Sequence, residues 1–99
     1  MFTFINRFTV TGDTAEFEAR IAGITEHMTR QPGFRSHRLY HSVKDAAVYV
    51  EVAEWDDADA HQRAVRTEGF QQAVRPVMAL ATADPAPFSV VTAHTAAAR

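Results

Sequence analysis

Ninety-nine residues leave room for one hydrophobic core and not two, and 46% apolar against 22% charged residues, with 4 Gly and 4 Pro, exclude a disordered or low-complexity chain. A formal charge of −2, with 10 basic residues scattered among 12 acidic ones, excludes a basic nucleic-acid-binding stripe. Zero cysteines exclude disulfides, thiolate nucleophiles, iron–sulfur clusters and the common zinc sites, so any chemistry falls to His, carboxylate, Arg, Tyr, Trp or Asn.

Phe2 to Val10 alternates like a strand, with Phe2, Phe4, Asn6 and Phe8 on one face and Thr3, Ile5, Arg7 and Thr9 on the other. Thr11-Gly12 breaks it. Asp13, with Glu16 three residues on, is a carboxylate form of the capping box and starts a helix. Phe17, Ile21, Ile24 and Met28 recur in it at steps of four, three and four and form an apolar stripe, while Glu16 and Arg20 pair outside. Pro32-Gly33 ends it. Phe34 to Ser42 reads as a second strand, with Phe34, Ser36, Arg38 and Tyr40 opposite Arg35, His37, Leu39 and His41, and Lys44-Asp45 supplies a turn. Ala47 to Trp55 is the third, with Val48, Val50 and Val52 on one face and Tyr49, Glu51, Ala53 and Trp55 on the other.

Asp56 or Asp57 caps a helix from Ala58 to about Arg66, and after Gly69 a further helix runs from Phe70 to about Ala81. Asp84-Pro85-Ala86-Pro87 is expected to stop it, leaving Phe88 to His94 as the last strand. The domain expected is a single one over 1–94, with 95–99 a frayed tail. No apolar run is long enough to span a bilayer, and the N-terminus lacks the basic-then-apolar layout of a signal peptide. A soluble cytoplasmic protein without a membrane partner is expected.

The order β, α, β, β, broken α, β predicts an α+β fold, a ferredoxin-like split β-α-β sandwich (βαββαβ) with the helices on one face of an antiparallel sheet. The other sheet face is left bare, yet the third strand offers valines there, which asks for cover that a two-layer monomer lacks. A homodimer packed sheet to sheet is therefore expected, with a pocket between sheet and helices in each subunit.

Tyr49, Glu51 and Trp55 share a strand face and line one wall. Tyr49 reads first as a core aromatic, and Trp55 equally as core or as pocket. Glu51 either reaches solvent at a strand edge or sits among apolar groups, where burial would make it a general base near neutrality. Asn6, between Phe4 and Phe8, either bonds neighbouring backbone or, in a pocket, offers two donors and an acceptor to a substrate carbonyl, a phenol or dioxygen. Arg75 is a surface residue or, turned inward, a stabiliser of phenolate or enolate. Of the five histidines only His61 is placed near the pocket, with a solvated helix position as its alternative. His37 and His41 stand about 13 Å apart along a strand, too far to share a metal. No HExxH, GxGxxG or GxxxxGK[ST] string occurs, which argues against metal and nucleotide sites.

Thr3 to Val10 (TFINRFTV), Ala15 to Glu18, the Arg30-Gln31-Pro32-Gly33-Phe34 string and Tyr49 to Trp55 (YVEVAEW), with Gly69-Phe70 downstream, resemble the antibiotic biosynthesis monooxygenase family of dimeric α+β barrel proteins. The likeness covers about residues 2 to 92 and is greatest to the polyketide anthrone oxygenases of that family. It implies a cofactor-independent oxygenase that turns an aromatic polyketide anthrone into its quinone with dioxygen. It also makes Asn6 and Trp55 pocket residues and matches Arg75 to a helical Arg of some members, and Phe4, Tyr49, His61 and Arg75 are the residues expected to touch the substrate. Two positions bear on the chemistry. Such relatives carry an Asn four residues before the Trp, where this chain has Glu51. Ala64 stands where many other members place a His, as it does in the anthrone-oxygenase branch. The roles expected for this chain's own residues are packing and an N–H hydrogen bond for Trp55, oxygen or peroxide binding for Asn6, proton removal or peroxide protonation for Glu51, and anion stabilisation for Arg75. A polyketide cyclase, an oxygenase assisted by reduced flavin, or a non-catalytic binding subunit remain open on the same scaffold.

Overall fold

Local chemistry fixes where each element starts in the computed structural model, which describes residues 1–97. β1 (Phe2–Val10) has the bounds its alternation predicts. α1 (Thr14–Thr29) begins where the Asp13 carboxylate accepts the Glu16 N–H at 3.2 Å, and it buries the expected stripe of Phe17, Ile21, Ile24 and Met28. The chain turns after it at Gly33, whose φ of +87° and whose approach to Ala60 leave no room for a side chain. β2 (Phe34–His41) and β3 (Val48–Trp55) form a hairpin. α2 (Ala58–Val65) starts at Asp57, which accepts the Ala60 N–H at 2.8 Å. α3 (Glu68–Leu80) starts at Thr67, whose hydroxyl accepts the Phe70 N–H, and β4 (Ala81–Ser89) closes the sheet.

The four strands are antiparallel in the order β2-β3-β1-β4. The helices cover one face, and the core of Phe8, Phe17, Ile21, Tyr49, Trp55 and Val77 lies between the two layers. This is the expected α+β split sandwich. The opposite face carries Ile5, Val50 and Val52 at its centre, and Tyr40 and Phe88 stand 50% exposed on it. Among the described residues no helix is long and apolar enough to cross a membrane.

Three sequence expectations are corrected. β4 begins at Ala81 and ends at Ser89, so the segment Asp84-Pro85-Ala86-Pro87 lies inside the strand that was expected only from Phe88 to His94. Pro85 and Pro87 sit opposite Asn6 and Phe4 on an edge strand, and being two residues apart both turn their nitrogens to the open edge, where no ladder bond is lost. α3 starts at Glu68, so Gly69 is inside the helix; a Cβ there would come within 2.5 Å of the His27 ring, which makes it a point of close α1–α3 approach and not a break. Finally, the ladder slips by one residue between Phe34 and Ser36, so that Phe34 pairs with Trp55. The bulge moves Phe34 off the face of Ser36, Arg38 and Tyr40 and onto the helix side. Of the expected tail, residues 95–97 form no regular element and 98–99 lie outside the described residues.

Candidate active site

A cleft opens between the sheet and the helices, with about 680 Å³ of empty space counting its mouth. Its sheet wall is Phe4, Asn6 and Phe8 of β1, Phe34 and His37 of β2, Glu51, Ala53 and Trp55 of β3, and Ala83 of β4. Its helix wall is Ile21, Ile24, Thr25 and Met28 of α1, His61 and Val65 of α2, and Phe70, Val74, Val77 and Met78 of α3. Such a wall suits a flat apolar guest. Only His37, Glu51 and His61 among these residues titrate.

Two polar atoms of this wall have no partner among the described residues. The indole Nε1 of Trp55, a residue 1% exposed, and Oδ1 of Asn6, 8% exposed, are buried without a hydrogen bond. Each orphan costs about 1–3 kcal/mol, so a ligand that supplies an acceptor to Trp55 and a donor to Asn6 recovers that energy. The amide can also turn over and offer its NH₂ group. Trp55 is held edge-on by Phe34 (88° between planes, centroids 5.4 Å apart) and by His61 at 5.7 Å. His61 in turn lies against Phe4 at 4.6 Å and Phe2 at 5.2 Å. Burial among these rings pulls the His61 pKa below its ordinary value, with the Glu51 charge opposing in part. At neutral pH the ring is therefore uncharged.

Glu51 fits neither of its two sequence readings, since β3 is an inner strand and its carboxylate is not isolated among apolar groups. Its Oε2 stands 2.9 Å from His37 Nε2, with the two side chains 14% and 13% exposed. Behind His37, Nδ1 faces the Thr25 hydroxyl at 3.5 Å, and that hydroxyl donates to the Ile21 carbonyl at 3.0 Å. His37 is the polar cleft side chain that sequence reasoning did not place there. The signal existed in the hairpin register, since His37 pairs with Ala53 and Leu39 with Glu51, symmetrically about the turn at Lys44-Asp45; placing that turn brings His37 diagonally next to Glu51 on the same face.

Phe4, Asn6, Glu51, Trp55 and His61 thus meet in one cleft, and two expected residues do not. Tyr49 is fully buried under Phe17, with ring centroids 4.9 Å apart, and donates its hydroxyl to Glu18 at 2.5 Å on the flank of α1. Burial first, and then the Glu18 carboxylate, push its pKa up to about 12. It is a structural aromatic outside the cleft wall. Arg75 is exposed, because α3 turns Phe70, Val74 and Val77 inward and the next position after Val74 lies about 100° around the helix.

Residues 1–76 match the family model for antibiotic biosynthesis monooxygenase. The chain belongs to the antibiotic biosynthesis monooxygenase family. Deoxynogalonate monooxygenase of Streptomyces nogalater is 42% identical over 82 residues, 83% of this family member and 70% of that protein. The crystal structure of SnoaB, a cofactor-independent oxygenase from Streptomyces nogalater, matches with a TM-score of 0.91 at 38% identity, over 93% of this chain and 94% of that one. A putative antibiotic biosynthesis monooxygenase from Deinococcus radiodurans matches at a TM-score of 0.84 and 13% identity, over 99% of this chain and 100% of that one, and shares the fold alone. This family member is an enzyme, and catalysis without a bound cofactor agrees with the cofactor independence of SnoaB.

Proposed function

We propose that this monooxygenase oxidises an anthrone-type aromatic polyketide to its quinone with dioxygen, without cofactor, and that it works as a homodimer. The reading is carried by the two unpartnered polar atoms, Trp55 Nε1 and Asn6 Oδ1, in an apolar cleft beside Glu51. A planar polyketide would fill the apolar walls, its oxygens would meet the indole N–H and the amide, and the CH₂ between its rings would face the carboxylate. Those donors would stabilise the anion that forms when Glu51 takes the CH₂ proton. The carbanion is electron-rich enough to pass one electron to dioxygen, and recombination of the two radicals forms a C–O bond and a peroxide. Loss of water then gives the quinone. The bare sheet face, with Ile5, Val50, Val52, Tyr40 and Phe88, supports the dimer, since a second copy of that face would cover it.

The test is incubation with dithranol or emodin anthrone under air and under argon, with quinone absorbance and oxygen uptake recorded together. The expected result is one dioxygen consumed per quinone under air, a rate unchanged by reduced flavin, and no product under argon. Turnover under argon would instead mark a cyclase or another non-oxidative tailoring enzyme, and binding without turnover a carrier of the product.

A further inference from the structure

We propose that His37 and Glu51 work as one acid–base pair, in which Glu51 is the catalytic residue that exchanges protons with substrate and peroxide and His37 is the positioning residue that shares its charge. This rests on the oxygenase reading above. Glu51 Oε2 and His37 Nε2 lie 2.9 Å apart in the cleft wall, brought together by the β2–β3 register, and Thr25 of α1 stands at the far nitrogen. The Thr25 hydroxyl donates to the Ile21 carbonyl, which leaves its oxygen as the acceptor 3.5 Å from Nδ1, and on that geometry the hydrogen is assigned to Nδ1. One further proton then lies between Nε2 and Oε2, in an imidazolium facing a carboxylate or an imidazole facing a carboxylic acid. Both forms are neutral overall, and Glu51 Oε1 makes no hydrogen bond among the described residues.

That neutrality decides what the pair can do in an apolar cleft. When Oε1 takes the first C–H proton the pair becomes a cation beside a new carbanion, and the cleft never holds an unbalanced charge. A lone carboxylate at position 51 would leave one negative charge there before and after the transfer. After electron transfer and C–O bond formation, Glu51 returns the proton to the peroxide anion and gives a hydroperoxide. The second C–H proton then passes to Oε1 as the O–O bond breaks and C=O forms, and the departing hydroxide takes that proton as water. One CH₂ and one dioxygen become one carbonyl and one water, and the pair is regenerated with no outside acid or base.

The titratable group that faces the pair from another element is His61 of α2; Asn6 of β1 and Thr25 of α1 face it without titrating, and no Arg or Lys lines the cleft among the described residues. Farther along the same strand face, Tyr49 and Glu18 are bound to each other.

The experiment follows quinone formation from dithranol between pH 5 and 9 in wild type, E51Q, H37L, H37Q and the E51Q/H37L double variant. Each variant is first checked for anthraquinone binding by quenching of Trp55 fluorescence. E51Q is expected to lower kcat by about 10²-fold or more, in the range of a positioned general base. H37L is expected to lower kcat by about 10-fold or more with KM within about twofold, and the double variant to be no slower than E51Q, as for residues acting as a unit. H37Q keeps an N–H donor but no proton to share, so it should regain part of the H37L loss while losing the limb of the wild-type kcat–pH profile that the pair supplies. If H37L fails to bind anthraquinone, H37Q against E51Q/H37Q gives the same cycle. H37L turning over at the wild-type rate with an unchanged pH profile, or losses that multiply in the double variant, would overturn the pair alone. A wild type that makes no quinone would overturn the oxygenase reading, and the pair with it.

Discussion

Asn6→Leu separates a functional polar group from a structural one, because the two readings give opposite signs in a stability measurement. Asn6 is 8% exposed between Phe4 and Phe8, and its Oδ1 is buried with no partner. A buried acceptor left unpaired costs about 1–3 kcal/mol, and replacing it by an apolar group of similar shape removes that cost. The leucine methyls would occupy the space of the amide and add apolar burial at about 25 cal/mol per Å². The substrate-free protein should therefore become more stable by about 1–2 kcal/mol. For a chain of 99 residues this raises Tm by roughly 5–10 °C, taking about 5 °C per kcal/mol from an unfolding entropy of about 2.1 cal/mol/K per residue. The same change should lower quinone formation by about 10²-fold, the loss typical of one donor aimed at a developing oxyanion. Scanning calorimetry and the dithranol assay on the same sample read both numbers. A drop in Tm of several degrees would show that the amide holds the fold together, and the reasoning from the orphan atom would be wrong.

The pH dependence of stability carries the signature of His61. Its folded pKa lies below the ordinary 6.5, so its contribution is fully present above that value and is lost as pH falls through the folded pKa, where the unfolded chain binds a proton that the folded one resists. Phe in its place fits beside Phe2 and Phe4, and H61F should show a smaller fall in Tm between pH 7 and pH 5 than wild type; an equal fall would remove His61 as the cause. Val52 stands on the bare sheet face opposite Ile5 and Arg38. V52K should turn the dimer into a monomer in sedimentation and abolish the dependence of Tm on protein concentration, and a wild type that sediments as a monomer would remove the dimer itself.

The sequence made β1, the Asp13 and Asp57 caps and the inward stripe of α1 legible because each depends on residues within a turn or two of one another. β4 was hidden because two prolines look like a break until the strand is known to be at an edge, which only the sheet order reveals. Alternation put Asn6 with Phe4 and Phe8 on one face of β1 and Glu51 with Trp55 on one face of β3, but it was the family resemblance that marked Asn6 and Trp55 as pocket residues. Phe34 was misplaced by the bulge, a one-residue slip that reverses every face assignment on its far side. Arg75 and Tyr49 needed facts that pattern does not carry: which rotation of α3 faces inward, and that Glu18 reaches the Tyr49 hydroxyl.

The three polar side chains on the cleft-facing side of β3 end up in three different states, and the difference sorts structure from chemistry. Tyr49 is closed off: its hydroxyl is spent on Glu18, and burial keeps it protonated up to about 12. Trp55 is unpaired, with a buried N–H that nothing among the described residues accepts. Glu51 lies between these extremes, with one oxygen held by His37 and the other unbonded among the described residues. An unpaired carboxylate in such a wall would be expensive, with a penalty of several kcal/mol. Glu51 therefore depends on its hydrogen bond to His37. In the acid–base reading proposed above, the two side chains form one neutral site that also moves a proton.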